Sequence, residues 1–301
     1  MTNPKNITLP LATALTFAGS FVAGKYAIYD LQPLTITLIR YLIALLFLAL
    51  LLYHYGASSL KVAGRHLPGL ILLGLFGVVG YHFFFFSSLE LTSVGNTAII
   101  NAMSPVVTGL LASIFIRERL SGVNYTGVAV ALVGVIILLT DGELQNITGL
   151  NFNPGDILML CAVISWAIYA LLVKALMKKY SGFTVTFYAA LFGVMILAVI
   201  VPIFEGVDFG PGDVSTTAIL SIIYMGIVAS GIGYFLYNLS VHKMGPTRTA
   251  SAVYSLVPVF VAFLAFLFFR EEISIIMLSS IVLIIIGLNL VMKRAGQANP
   301  S

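Results

Sequence analysis

Four stretches of this chain, 91–116, 183–204, 214–241 and 273–292, contain no charged residue at all. A run of roughly 20 apolar residues crosses about 30 Å of hydrocarbon. In that solvent only helices and closed barrels satisfy every backbone N–H and C=O. These runs are continuously apolar, without the period-two alternation of a barrel strand, so they read as helices. Extended along the chain, the pattern predicts ten spans: 7–28, 33–54, 67–89, 92–116, 121–140, 156–175, 183–204, 215–241, 247–269 and 273–292. Of the 301 residues only 9% are charged and 60% are hydrophobic, whereas a soluble domain is about 25% charged. The third span is the least regular, because Gly77, Gly80 and four successive phenylalanines (Phe83–Phe86) lower its helix propensity. The first apolar run is of spanning length and lacks a small-residue cleavage site, so it reads as a retained helix and not as a signal peptide.

The net charge of +4 does not point to nucleic acid, because the basic residues are scattered over short connections. Their placement reads as membrane orientation. With the N-terminus inside, inner segments hold Lys5, Lys61, Arg65, Arg117, Arg119, Lys174, Lys178, Lys179, Lys243, Arg248, Lys293 and Arg294, and outer segments hold only Lys25 and Arg270. Asp141, Glu143, Asp156, Glu205, Asp208 and Asp213 fall outside, and both termini are expected in the cytoplasm. The lone cysteine, Cys161, lies in an apolar run, where it reads as a small hydrophobe. It leaves no intramolecular disulfide or cysteine metal cluster to form.

The second half repeats the first. At an offset of 149, Phe17-Ala18 meets Trp166-Ala167, Lys25 meets Lys174, and Thr35 and Thr37 meet Thr184 and Thr186. At an offset of 153, Tyr81 meets Tyr234, Pro105 meets Pro258, Arg117-Glu118 meets Arg270-Glu271, and Gly134 meets Gly287. Two units follow, 1–145 and 146–301, each of five helices. Five is odd, so matched helix ends fall on opposite faces of the bilayer. The expected fold is therefore an all-α membrane protein whose ten transmembrane helices form two inverted five-helix repeats. Inverted repeats mark secondary transporters, which bind solute near the midplane and rock about it.

The sequence resembles the ten-helix EamA-type members of the drug/metabolite transporter superfamily. The resemblance rests on Phe17 through Phe21 with Lys25, Pro33 through Arg40, Ala98 through Pro105 leading to Arg117-Glu118, Ser165 through Tyr169, and Gly245 through Pro258 leading to Arg270-Glu271. It covers essentially the whole chain and implies a compact bundle, a central substrate cavity and, often, metabolite export. Phe17 departs from the pattern, since the family commonly has Trp there.

Helical spacing places the polar side chains on shared faces. Thr97, Asn101, Ser104 and Thr108 form one stripe, and Thr247, Ser251, Tyr254 or Ser255, and Pro258 form its counterpart. Ser230, Tyr234, Tyr237 and Asn238 share another face, while the first span offers Phe17 and Ser20 and the sixth Trp166 and Tyr169. Polar groups cost free energy in hydrocarbon, so these stripes should face the bundle. The expected cavity set is Phe17, Ser20, Tyr81, His82, Asn101, Ser104, Trp166, Tyr169, Tyr234, Tyr237, Asn238, Tyr254 and Ser255. His82 reads either as a proton relay coupling transport to a gradient or as a neutral ring bonded to a neighbouring carbonyl, the second being favoured. Arg40 is open to snorkelling, to pairing with Asp30 or Glu90, or to meeting an anionic substrate group. Because the resemblance implies an arginine there across many substrates, structural pairing is favoured. Pro105 and Pro258 are expected to kink their helices, and Glu118 and Glu271 to make ion pairs or gate contacts.

The expected function is alternating-access transport, as export, of a small amino-acid-like or amphipathic metabolite across the cytoplasmic membrane. The sequence offers no metal site and no cofactor motif, nor a phosphate-binding loop for direct ATP use. A passive channel is the alternative. An intramembrane enzyme is disfavoured, since no His-Glu-x-x-His, Gly-x-Ser-x-Gly or paired intramembrane aspartates occur.

Overall fold

Side-chain caps and prolines set where most helices begin. The computed structural model describes residues 8–55, 60–115, 122–139, 142, 153–206, 214–244 and 246–291. Arg117, Glu118, Arg119, Asp141, Glu143, Asp208 and Asp213, with Lys5, Lys293 and Arg294, lie outside the described residues, as does the side chain of Ser255.

In chain order the helices are α1 (Thr8–Ala27), α2 (Pro33–Tyr55), α3 (Leu67–Leu73), α4 (Tyr81–Leu91), α5 (Val94–Asn101), α6 (Ser104–Phe115), α7 (Gly122–Leu139), α8 (Pro154–Leu176), α9 (Gly182–Phe204), α10 (Thr216–Tyr224), α11 (Tyr234–Met244), α12 (Pro246–Phe269) and α13 (Ile275–Val291). Two π-helical segments interrupt this α-helical set: Gly74–Gly80 joins α3 to α4, and Met225–Gly233 joins α10 to α11. Among the described residues there is no strand. Among the described residues, seven helical stretches are long and apolar enough to cross a membrane. The helices Gly122–Leu138 and Ile275–Gly287 are apolar but shorter. Helix α1 lies outside both groups and carries Thr8, Thr13, Thr16, Ser20 and Lys25.

Ser93, Ser181 and Ser215 each accept the N–H three residues on, and Asn153 accepts that of Gly155, with Pro154 as the first residue of α8. Two helices are capped by residues distant in sequence. Glu205 accepts the N–H groups of Leu34 (2.8 Å) and Thr35 (2.7 Å) at the start of α2. Glu271 accepts those of Val94 (2.9 Å) and Gly95 (3.0 Å) at the start of α5. Glu271 is delivered there by a reversal at the end of α12, where Arg270 adopts a left-handed φ of 54° and Glu271 N–H returns to the carbonyl of Ala265. At the C-terminal end of α4, the Lys25 ammonium donates to the carbonyls of Leu89 and Thr92, cations being favoured at helix C-termini.

Helices in lipid gain little hydrophobic drive toward one another, so close approach of backbones decides their contacts. The most extensive helix–helix contact joins α7 and α13. There a Cβ on Gly287 would lie 2.6 Å from the Ala131 nitrogen and the Gly127 oxygen, and one on Gly134 would lie 3.1 Å from the Ser280 oxygen. Helix α9 packs on the first π segment through a similar contact, with a Cβ on Gly74 falling 2.6 Å from the Gly193 nitrogen. The outer surface is apolar, with Leu46 and Leu50 on α2, Met195, Val199 and Ile203 on α9, and Phe263, Phe266 and Leu267 on α12 exposed at helical spacing. Polar residues are inside: Thr13, Thr37, Arg40, His82, Thr97, Asn101 and Asn238 are all buried.

One expectation needs correction. Pro105 does not kink a continuous helix: α5 ends at Asn101, Ala102 and Met103 form a turn, and Pro105 occupies the first turn of α6. Pro105 has no N–H for the carbonyl of Asn101, four residues back, and that carbonyl accepts from Ser104 Oγ instead, so the α-helical ladder is interrupted there. Pro258 remains inside α12, which runs unbroken.

Candidate functional site

Both π segments end immediately before a tyrosine, Tyr81 or Tyr234, and both tyrosines face the same cavity. The i→i+5 pattern loosens the backbone and leaves carbonyls for side chains to reach. In the first segment Phe76 C=O accepts from the Tyr81 N–H and also from Ser165 Oγ (3.0 Å), while Val78 C=O accepts from His82 Nδ1 (2.9 Å). In the second segment Ser230 Oγ accepts from Arg40 Nε (2.6 Å).

The cavity holds about 30 Å³ of free space, room for about two waters. Phe17, Ser20 and Phe21 of α1 line it, with Arg40 of α2, Tyr81, His82 and Phe85 of α4, Asn101 of α5, Trp166 of α8, Tyr234 of α11 and Tyr254 of α12. Aromatic rings build most of the wall. Trp166 lies 5.1 Å from Tyr81, 5.6 Å from Tyr234 and 6.5 Å from Tyr254, measured between centroids. Phe17 lies edge-on to Tyr234 at 5.7 Å. Such edge-to-face geometry stiffens a wall, each pair adding about 0.5–1.5 kcal/mol beyond burial.

Eight of the thirteen residues expected at the cavity line it: Phe17, Ser20, Tyr81, His82, Asn101, Trp166, Tyr234 and Tyr254. Four take other positions. Tyr169 stacks behind Trp166 at 4.9 Å, against the space left by Gly77. Tyr237 packs on Phe17 and Trp166. Ser104 donates to the backbone and side-chain oxygens of Asn101, and the Asn238 amide donates to Thr186 Oγ1 on α9. The thirteenth, Ser255, has its side chain outside the described residues. Phe21 and Phe85 were not foreseen; each lies one turn beyond an expected residue, Phe17 or Tyr81, and that spacing was the available signal.

Arg40 is 2% exposed and reaches neither Asp30 nor Glu90. Its Nε donates to Ser230, its Nη1 lies 3.8 Å from Met225 Sδ, and its guanidinium carbon stands 5.7 Å from the Tyr41 ring centre. Asp30 instead accepts the Ser215 N–H at 2.9 Å, outside the bundle. Glu271, expected in an ion pair or gate contact, is the cap of α5. His82 is enclosed by the rings of Tyr41, Tyr81 and Phe86. A carbonyl oxygen can only accept, so the Nδ1 of His82 carries the proton in its bond to Val78. No cluster of His, Cys, Asp and Glu that could hold a metal occurs among the described residues.

A bundle of apolar helices closed around a polar and aromatic chamber has the build of a membrane transport protein. The chain belongs to the EamA-like transporter family, within the drug/metabolite transporter superfamily: the family model matches residues 5–140 and, a second time, residues 153–293. It is a transporter and not an enzyme. It is 26% identical over 284 residues to the uncharacterized transporter YyaM of Bacillus subtilis (strain 168), covering 94% of this chain and 92% of that protein. It is also 26% identical over 247 residues to a probable terminal-alkyne amino-acid exporter of Streptantibioticus cattleyicolor, covering 82% and 80%. A solved crystal structure superposes with a TM-score of 0.69 at 17% identity, covering 96% of this chain and 98% of the other, and so shares its fold.

Proposed function

We propose that this protein is a secondary carrier that exports a small amphipathic, amino-acid-like metabolite across the cytoplasmic membrane by alternating access. The observation that carries this reading is the chamber between residues of both halves, Phe17 to Asn101 from one and Trp166 to Tyr254 from the other. With room for about two waters, it does not hold an amino acid, which has more heavy atoms than that. Solute entry therefore requires the walls to part, which is the behaviour of a carrier and not of a standing pore.

The reading includes ten spans in two inverted units, 1–145 and 146–301, with both termini cytoplasmic. Helix contacts support it, because they are reciprocal. Helix α1 packs on α12 while α6 packs on α8, and α9 packs on the first π segment while α2 packs on the second. Tyr81 and Tyr234, 153 residues apart, follow the two π segments. The amino-acid-like cargo is supported by the aromatic walls and by the name of the Streptantibioticus relative.

Counterflow in proteoliposomes tests the proposal. Vesicles preloaded with the transported amino acid should accumulate external labelled solute transiently, with saturable initial rates. Flux that rises linearly with concentration and shows no counterflow would replace the carrier by a channel.

A further inference from the structure

Resting on the carrier reading, we infer that the solute presents a carboxylate, and that Arg40 is the group that receives it inside the chamber. A guanidinium has five N–H donors and a permanent charge. Here one donor goes to Ser230 Oγ at 2.6 Å, and Nη1 has only the weakly accepting thioether of Met225 at 3.8 Å. No carboxylate pairs with Arg40 among the described residues, and the cavity lining contains neither Asp nor Glu. A cation so deeply buried without a counter-ion is costly in any low-dielectric site. An arriving carboxylate supplies both the missing charge and the acceptors, in the bidentate geometry that a guanidinium favours.

A second observation points to the same ligand. Tyr234 lines the cavity, and its buried hydroxyl meets no group but the hydroxyl of Tyr41, whose ring lies 6.3 Å from the Tyr234 ring. Buried hydroxyls normally find partners, and the one O–H that this pair has left to donate, with the spare donors of the guanidinium, describes an anion subsite. The apolar part of the lining, Phe17, Phe21, Phe85 and Trp166, suits an apolar side chain. Because the lining offers an ammonium group no carboxylate, the acid is the required group and the amine is dispensable. The inferred solute class is therefore an aryl- or alkyl-substituted carboxylate, of which an amino acid is one case.

The chain contains a single tryptophan, Trp166, and it lines this chamber, so its fluorescence reports occupancy directly. Purified full-length protein is titrated with 3-phenylpropionate, 3-phenylpropionamide, phenethylamine and L-phenylalanine. The inference expects saturable changes with 3-phenylpropionate and L-phenylalanine, and at least about tenfold weaker binding of the amide and the amine, as for loss of one charge-assisted contact. Arg40→Gln should erase the preference for acid over amide, while Arg40→Lys keeps part of it. The wild-type comparison stands even where a variant does not fold. Equal binding of acid and amide, an Arg40→Gln protein that keeps the preference, or silence with all four probes would overturn the inference. Counterflow of solutes lacking a carboxylate would also overturn it while leaving the carrier reading intact; binding without counterflow would do the reverse.

Discussion

Glu271 grips the first turn of another helix: its two carboxylate oxygens accept the backbone N–H groups of Val94 and Gly95. Those donors have no partner within α5, and a charged acceptor at a helix N-terminus also meets the positive end of the dipole. Glu271→Ala should cost about 1–2 kcal/mol. Glu271→Gln, which keeps one acceptor, should cost less. Thermal unfolding in detergent reads the order wild type, Gln, Ala. An Ala variant as stable as wild type would mean that the cap contributes nothing.

Gly74 and Gly193 place two helical backbones in direct contact, with no space between them for a methyl group. Gly74→Ala would drive its Cβ to 2.6 Å from the Gly193 nitrogen and 2.9 Å from the Phe192 carbonyl carbon, both backbone atoms that cannot rotate away. Overpacking of that kind costs about 1–3 kcal/mol. Gly64→Ala is the matched control, since nothing lies within 4 Å of its Cβ. Melting temperatures of the two variants should separate clearly.

Asp30 is held below the usual carboxylate range by hydrogen bonds from the Ser215 hydroxyl and backbone N–H. A group whose folded pKa is depressed contributes stability above its unfolded pKa, and loses it as pH falls through the folded value. Melting curves between about pH 5 and about pH 3 should therefore fall less steeply for Asp30→Asn than for wild type. The difference is small because the carboxylate is solvated. Identical acid slopes would remove Asp30 from the account.

His82 is fixed by its bond to Val78 and by the rings around it. Glutamine can offer an amide N–H to the same carbonyl. His82→Gln should lower transport by at most about tenfold, the cost of one imperfect hydrogen bond at about 0.5–1.5 kcal/mol, and should keep the pH profile of wild type. Uptake measured across a pH series decides the matter, and a flattened profile would make the ring a proton carrier.

Much of this architecture is visible in the residues themselves, because the bilayer sets a simple rule of length and polarity. The charge-free stretch 183–204 contains nearly all of α9, Gly182–Phe204. Polar stripes also point inward as periodicity demands, with Thr97, Asn101 and Ser104 all buried. What escaped detection depends on contacts between distant segments. Gly77 and Gly80 read as weak helix formers, but their close approach to Tyr169 and Ser165, like that of Gly74 to Gly193, depends on segments distant in sequence. Asn238 shares a helical face with Tyr234, yet Thr186 draws its amide away from the chamber. The partners of Arg40 were equally hidden, since Met225 and Ser230 come from 185 and 190 residues further along.

The two π segments store slack in the chain. Each holds its backbone wider than an α-helix, and Tyr81 and Tyr234 are the first residues after the widened turns. Surrendering one residue of that slack would rotate the rest of the helix by about 100° and slide it by about 1.5 Å, the screw step of one α-helical residue. A ring mounted there would swing from the chamber wall like a shutter on a thread. One such thread leads to each of the two tyrosines, one in either half of the chain.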